Sequence, residues 1–504
     1  MPGKNRTPAL MVLGTASHVG KSVTTAALCR IFREDRIDVA PFKAQNMALN
    51  SYATRDGLEI GRAQATQAHA ARLEPSVDMN PILLKPSSDT ASQVVLNGRI
   101  LGNLSAAELY GRRSELFHEV QKAYDRLAAR HQLIVLEGAG SPVEMNLKQV
   151  DMVNLSMAEY ADAKCVLVAD IDRGGVFAQI VGTYALLEPE ERERFGGFVI
   201  NRFRGDPKLL GDAVPYLERR TGQRCLGVVP HLRDLGIEEE DSLALHEAPG
   251  RRSGLRVGAM LLRSLSNFTD FDALTRIDGV AFSYVRDAAE IRDLDVVILP
   301  GSKNTVRDLD DLRARGIADA VLAHERAGKP VVGICGGMQM LGRSIDDPHD
   351  VEGGARDIPG LGLLDLRTSL SAVKTVRQVT GSFADRPRFG DAAVAGYEIH
   401  VGETSRGDAD PLFVLTRTGT GEVIEDGAIR RDGRVLGTYM HGLFDEPAGA
   451  LALINHLRAL RDLPPLGADA IEPRGDPYAR LAAHFRAHLD VGALYESLGM
   501  KVPA

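Results

Sequence analysis

The chain has 504 residues, 44% hydrophobic and 25% charged, with a formal net charge of −8. That length exceeds one hydrophobic core and predicts two or three domains, while the acidic balance argues against a general nucleic-acid or membrane surface. Four scattered cysteines without CxxC spacing fit neither a disulfide framework nor a zinc site, and no signal-like or membrane-spanning apolar run is present, so a soluble cytoplasmic protein is expected.

Short apolar runs alternate with longer amphipathic stretches. Residues 9–13 (ALMVL) predict the first buried strand, and 23–32 a helix behind it. Residues 106–131 carry Leu109, Leu116, Val120, Tyr124 and Leu127 at helical spacing between charges. Runs at 133–136, 165–169, 197–200 and 226–229 predict further strands. Strands alternating with helices make this half an α/β domain, a parallel sheet covered on both faces. An acidic, then Pro/Gly/Arg-rich break at 238–253 sets a domain boundary. Beyond it strands are expected at 256–261, 296–299, 331–334 and 435–440. From Ala448 onward the sequence turns helical, with Leu453, Leu457 and Leu460 at helical spacing and a Pro/Gly-rich interruption. The expected layout is a first domain over 1–245, a second over 252–447, and a helical extension over 448–504.

The first strand ends in GTASHVGKS, residues 14–22. Gly14 and Gly20 let the backbone turn tightly, so that N–H groups from Thr15 onward face a phosphate. The helix beginning near Lys21 aims its positive end at the same anion. Lys21 is expected to reach the outer phosphates of ATP, and Ser22 to offer its hydroxyl to Mg2+. The loop has one residue more than GxxxxGK[ST]. Glu137, at the carboxyl end of the 133–136 strand and before Gly138-Ala139-Gly140, is a second metal candidate. Lys43, in Pro41-Phe42-Lys43, is a further phosphate candidate.

Residues 331–342 (VVGICGGMQMLG) run an apolar strand straight into Cys335, with glycines beside it and a helix after it. Small neighbours let such a turn close and leave the side chain exposed at the edge of the sheet. The helix N-terminus favours the thiolate, and the Gly336 N–H lies where an oxyanion would form. A second donor is expected from Gly301, in Leu299-Pro300-Gly301-Ser302. The cysteine needs a base: His441, in Tyr439-Met440-His441-Gly442, ranks first, and His400 in Gly396-Tyr397-Glu398-Ile399-His400 second.

GICGGMQMLG, with LPGS upstream and YMHGLF downstream, resembles the class I glutamine amidotransferase domain, a flavodoxin-like sheet. Within that class the chain is similar to the cobyric acid synthases of cobalamin biosynthesis, which join a dethiobiotin synthetase-like P-loop domain to a glutaminase. The long phosphate loop matches that family, as do PFKAQNMALNSY, EIGRAQATQA, DMNPILLKP, LEGAGSPVEMNL, ADIDRGGVFA and NRFRGD. The resemblance covers nearly the whole chain. It implies glutamine- and ATP-dependent amidation, with magnesium, of four peripheral carboxylates of adenosylcobyrinic acid a,c-diamide. It places the nucleophile on Cys335 and the base on His441. Many class I glutaminases carry a glutamate two residues after the histidine, where this chain has Leu443. The group orienting His441 is therefore unassigned, with Glu403 and Asp445 as candidates. The corrinoid polycarboxylate should meet basic residues, among which Lys85, Arg173, Arg202 and Arg204 are candidates. Ammonia must travel unprotonated between the two active sites, so an enclosed passage is expected, and the reading allows a homo-oligomer. The alternatives are cobyrinic acid a,c-diamide synthase and a non-catalytic nucleotide switch of the partitioning-ATPase kind.

Overall fold

A computed structural model describes residues 6–86, 90–232, 237, 254–352, 357–472 and 475–502. The break expected at 238–253 lies outside the described residues. The chain forms two compact units, neither a single stretch: one comprises Met1–Ala48, Ile60–Glu238 and Arg474–Ala504, the other Leu49–Glu59 and Glu239–Pro473.

Unit 1 is built on a six-stranded parallel sheet. Its order is Cys225–Pro230, Phe195–Phe203, Lys164–Asp170, Ala9–Gly14, Leu133–Glu137 and Val39–Phe42. Ala9–Gly14 is central and wholly buried, which is why its apolar run shows no alternation. The amphipathic stretch after residue 106 forms two helices, Ala106–Gly111 and Arg113–Ala128, the first opened by a Ser105/Glu108 capping box. A smaller four-stranded sheet holds Gln45–Met47, Ile82–Pro86, Ala91–Leu96 and Arg99–Ser105. The helix Lys21–Glu34 is covered by the C-terminal helices Pro477–His488 and Val491–Ser497. Arg30 pairs with Asp476, Arg486 with Asp35, and Phe32 meets Tyr495 edge-on at 5.4 Å. Phe32 and Tyr495 are fully buried, and each such side chain contributes about 1.5–3 kcal/mol by leaving water.

Unit 2 has a second, mostly parallel sheet, ordered Val280–Val285, Leu255–Met260, Val296–Leu299, Val331–Ile334 and Val435–Thr438, with Ala428–Ile429 antiparallel at one edge. Beside it lies a seven-stranded mixed sheet dominated by the antiparallel pair Leu366–Phe383 and Ala393–Arg406. The strand expected over 435–440 breaks at Tyr439. Val435–Thr438 belongs to the parallel sheet, whereas Met440–His441 pairs with Tyr397 and Glu398 in the mixed one. Side chains take over from the ladder at the switch: Asp426 accepts the Tyr439 N–H, and Thr438 Oγ1 accepts the Met440 N–H. His441 thus stands where the chain changes sheets. Pro447–Ala459 packs Leu453, Ile454 and Leu457 into the same core.

Candidate functional site

The phosphate loop of unit 1 lies between two strand ends. Thr15 N–H donates to Val168 O at 3.0 Å, and its hydroxyl to Gln179 Oε1 at 3.0 Å. Gly20 has φ 96, a left-handed conformation that suits glycine, and the helix begins at the next residue. Lys21 folds over the loop, its Nζ on Ala16 O at 2.8 Å and Gly140 O at 3.1 Å.

Three other side chains converge on Glu137. Lys43 Nζ lies 2.7 Å and Ser22 Oγ 2.9 Å from Glu137 Oε1, while Gln67 Nε2 donates to Oε2. Burial drives the Glu137 carboxyl upward. The Lys43 charge and the hydrogen bonds from Lys43, Gln67 and Ser22 outweigh it and hold the group below the usual glutamate value. Gln67, on the helix Arg62–Ala70, lies in the family-matching stretch EIGRAQATQA, but an amide in a helix rich in alanine gives no cue to this role. The proposed corrinoid contacts are engaged within the unit. Arg202 and Arg173 face Asp170 at 3.1 and 3.8 Å, Arg204 faces Asp172 at 2.7 Å, and Lys85 is buried.

In unit 2, Cys335 takes φ 52 and ψ −111 between the strand Val331–Ile334 and the helix Gly336–Leu341. Such a conformation is costly for a residue with a Cβ and lifts the side chain out of the turn. The glycines are needed for close approach: a Cβ on Gly337 would lie 1.9 Å from Leu299 O, and one on Gly336 3.1 Å from Ser302 N. The thiol points to Ile399 O at 3.6 Å. Gln339 locks the helix by accepting from Thr305 and donating to Val401 O and Tyr439 OH.

His441 is fully buried, with Nδ1 2.7 Å from Asp270 Oδ2. The other oxygen of Asp270 accepts Gly442 N–H at 2.9 Å, so the carboxylate is fixed at both ends. Burial alone would lower the imidazole pKa. The Asp270 charge and hydrogen bond, and then Cys335, raise it to about 10. A Cβ on Gly301 would come within 3.0 Å of His441 Cε1. The structure therefore brings Cys335, His441, Gly336 and Gly301 into one place.

Asp270 occupies the position for which Glu403 and Asp445 were the sequence candidates. Glu403 lines a separate cavity of about 380 Å³, and the Asp445 N–H bonds Gly442 O. Asp270 lies 171 residues before His441, so no spacing exposes it; the available cue was an acid set between Phe268 and Phe271 just after a strand. His400 faces the other side of its strand from Tyr397, which stacks on His441. It stacks on Tyr439 at 3.7 Å and lies 3.6 Å from Glu398.

Residues 10–243 match the CobQ/CobB/MinD/ParA nucleotide binding domain, and residues 256–449 the CobB/CobQ-like glutamine amidotransferase domain. The chain is 48% identical to a cobyric acid synthase of Syntrophobacter fumaroxidans, covering 97% of this chain and 98% of that protein. It is 44% identical to one of Dehalococcoides mccartyi at the same coverage. A third, of Bacteroides fragilis, is 48% identical over 98% of this chain and 99% of that one. Among solved structures, PurLQS from Thermotoga maritima aligns at 18% identity and TM-score 0.31, over 40% of this chain and 99% of that one.

Proposed function

The chain belongs to the cobyric acid synthase family, and on that premise we propose how its residues divide the reaction. It is an ATP-dependent carbon–nitrogen ligase with glutamine as amido donor, amidating four peripheral carboxylates of adenosylcobyrinic acid a,c-diamide to give adenosylcobyric acid.

A carboxylate resists amidation because its charge repels nucleophiles and its oxygen leaves badly. Transfer of the ATP γ-phosphoryl group to the corrinoid carboxylate gives an acyl phosphate, from which ammonia displaces phosphate. The backbone N–H groups of the loop from Gly14 to Gly20, with Thr15, cradle the phosphates, and Lys21 leaves its carbonyl partners to meet them. Lys43 adds a cation beside them. Ser22 and Glu137 supply hard oxygen donors 2.9 Å apart, the chemistry magnesium takes. Ser22 and Glu137 would hold an ion that arrives with ATP. When bound, the ion neutralises charge on the transferring phosphoryl group.

In unit 2, Cys335 attacks the side-chain amide carbon of glutamine as the thiolate, its proton residing on His441, which Asp270 keeps in the charged form. The N–H groups of Gly336 and the Gly301 turn stabilise the oxyanion. His441 then gives its proton to the departing amine, releasing ammonia, and water hydrolyses the thioester. The observation that carries this reading is the buried His441–Asp270 pair in the same core as a cysteine held at a strained strand-to-helix turn. Incubation with glutamine and ATP should drive the corrinoid through four successive carboxylate-to-amide exchanges, resolved by mass spectrometry. A stop after two would indicate diamide synthesis instead, and no exchange would sink the assignment.

A further inference from the structure

The glutamine amidotransferase family model begins at residue 256, yet unit 2 also contains Leu49–Glu59, a segment whose two ends are continuous with unit 1. Within unit 2 this segment touches a neighbour of each partner of the imidazole–carboxylate pair. The first contact is reciprocal: Phe268 N–H donates to Asn50 Oδ1 at 3.2 Å, and Ser51 N–H donates to Asn267 Oδ1 at 3.2 Å. Asn50, Ser51, Asn267 and Phe268 are all buried. Asn267 adopts φ 51, and its carbonyl accepts the Asp270 N–H at 3.0 Å, closing the single turn that presents Asp270 to His441. Removing the Asn50 acceptor would leave a backbone N–H buried without a partner on that turn, which the loop relieves only by shifting.

The second contact is with Tyr397, the ring that stacks on the imidazole. The Tyr52 ring lies 6.0 Å from that of Tyr397, and Tyr397 stacks on His441 at 5.4 Å with planes 20° apart. Gln378 Nε2 donates to both Tyr52 OH and Ala53 O at 3.0 Å, and Ala53 completes an apolar cluster with Val376, Tyr397 and Ile399. The far end is tied down by a buried Lys374–Glu59 ion pair and by Arg377 donating to Gly57 O.

We propose that Leu49–Glu59 is a positioning arm for the glutaminase. The Asn50–Asn267 exchange sets Asp270, and Tyr52 acts through Tyr397 on the plane of the His441 ring. The inference rests on reading Cys335, His441 and Asp270 as the glutaminase site. Asn50 and Tyr52 act on the reaction through Asp270 and His441. Their loss should therefore lower turnover of bound glutamine while leaving its binding intact.

The test compares Asn50→Leu, which keeps the shape and loses the acceptor, with Asn50→Asp, which keeps the acceptor. Glutamine hydrolysis and ammonia-driven corrinoid amidation are measured on the full-length protein. Asn50→Leu should lower kcat for glutamine hydrolysis by about tenfold or more, with KM changed less than about twofold and ammonia-driven amidation retained. Asn50→Asp should restore most of the lost turnover. Unchanged hydrolysis in Asn50→Leu, a change in KM alone, or parallel loss of both activities would each overturn the proposal. If the unaltered protein hydrolyses no glutamine, the fault lies with the glutaminase reading itself.

Discussion

Glu137 and Asp270 are both buried carboxylates that hold a cationic side chain, Lys43 in one case and His441 in the other. Their surroundings are assembled differently. Beside Glu137, the phosphate loop with Lys21 and Ser22 comes from one stretch, Gly14 to Ser22, on a strand and helix that neighbour each other in sequence, and only Lys43 and Gln67 are brought in from elsewhere. Around Asp270, the groups arrive from Asn267, Gly301, Cys335, Tyr397 and His441, on separate strands and turns. A phosphate needs many N–H groups converging on one point, which a single helix N-terminus supplies. Attack on an amide needs nucleophile, base and oxyanion donors on different sides of one carbon, which no single turn can place. The phosphate cradle is local because of its ligand, and the glutaminase site is dispersed because of its chemistry.

The sharpest way to break this comparison is to silence one site and leave the other. Cys335→Ser should abolish glutamine-driven amidation while amidation with added ammonia continues; loss of both would show that the sites are not separate. Lys21→Ala should lower amidation with either nitrogen source by about a hundredfold or more, since phosphoryl transfer serves both. Full activity in that variant would remove the phosphate-loop assignment.

Asp270→Asn tests the dispersed site alone. It should reduce kcat for glutamine hydrolysis by roughly 100- to 10,000-fold, because the amide no longer fixes the tautomer or stabilises the imidazolium. Ammonia-driven amidation should be untouched, and glutaminase kinetics like those of the unaltered protein would return the search to Glu403 and Asp445.

The smallest effect is on stability. Folding raises the His441 pKa from 6.5 to about 10, so between those values the folded protein holds a proton that the unfolded chain lacks. The Asp270 pair thus stabilises fully below about pH 6.5, and its contribution is lost as pH rises toward about 10. Denaturant unfolding across that range should show a steeper fall for the unaltered protein than for Asp270→Asn. Parallel slopes would mean that the imidazole is not paired as described.

Sequence reading reached some parts of the molecule and missed others for physical reasons. The strands at 296–299 and 331–334 coincide with their predicted spans because both faces are buried and the apolar run has no polar interruption. The long strands Leu366–Phe383 and Ala393–Arg406 were not anticipated. They interleave Arg, Thr and Ser with their apolar residues, since the pairing partner and not a core fixes much of their length. The phosphate loop was legible as a contiguous motif, and the turn at Cys335 as a change from strand to glycine to helix. Asp270 carries no such mark, and Gln67 and the Leu49–Glu59 arm fall in or beside stretches that match the family without showing what each residue does. Each is defined by a partner far along the chain, and an Asp, a Gln or an Asn-Ser-Tyr run looks the same in sequence whether buried or solvated.

The return of residues 474–504 to unit 1 bears on the order in which the protein is made. The helix Lys21–Glu34 leaves the ribosome early, carrying the face that Pro477–His488 and Tyr495 later cover. At ~5–20 residues per second, roughly 10–50 s of synthesis separate Glu238 from Arg474. Through that interval Ile31 and Phe32 on the nascent helix lack their C-terminal cover. Until residues 474–502 are made that apolar face stays open, and a fragment halted before residue 474 should aggregate more readily than the full chain.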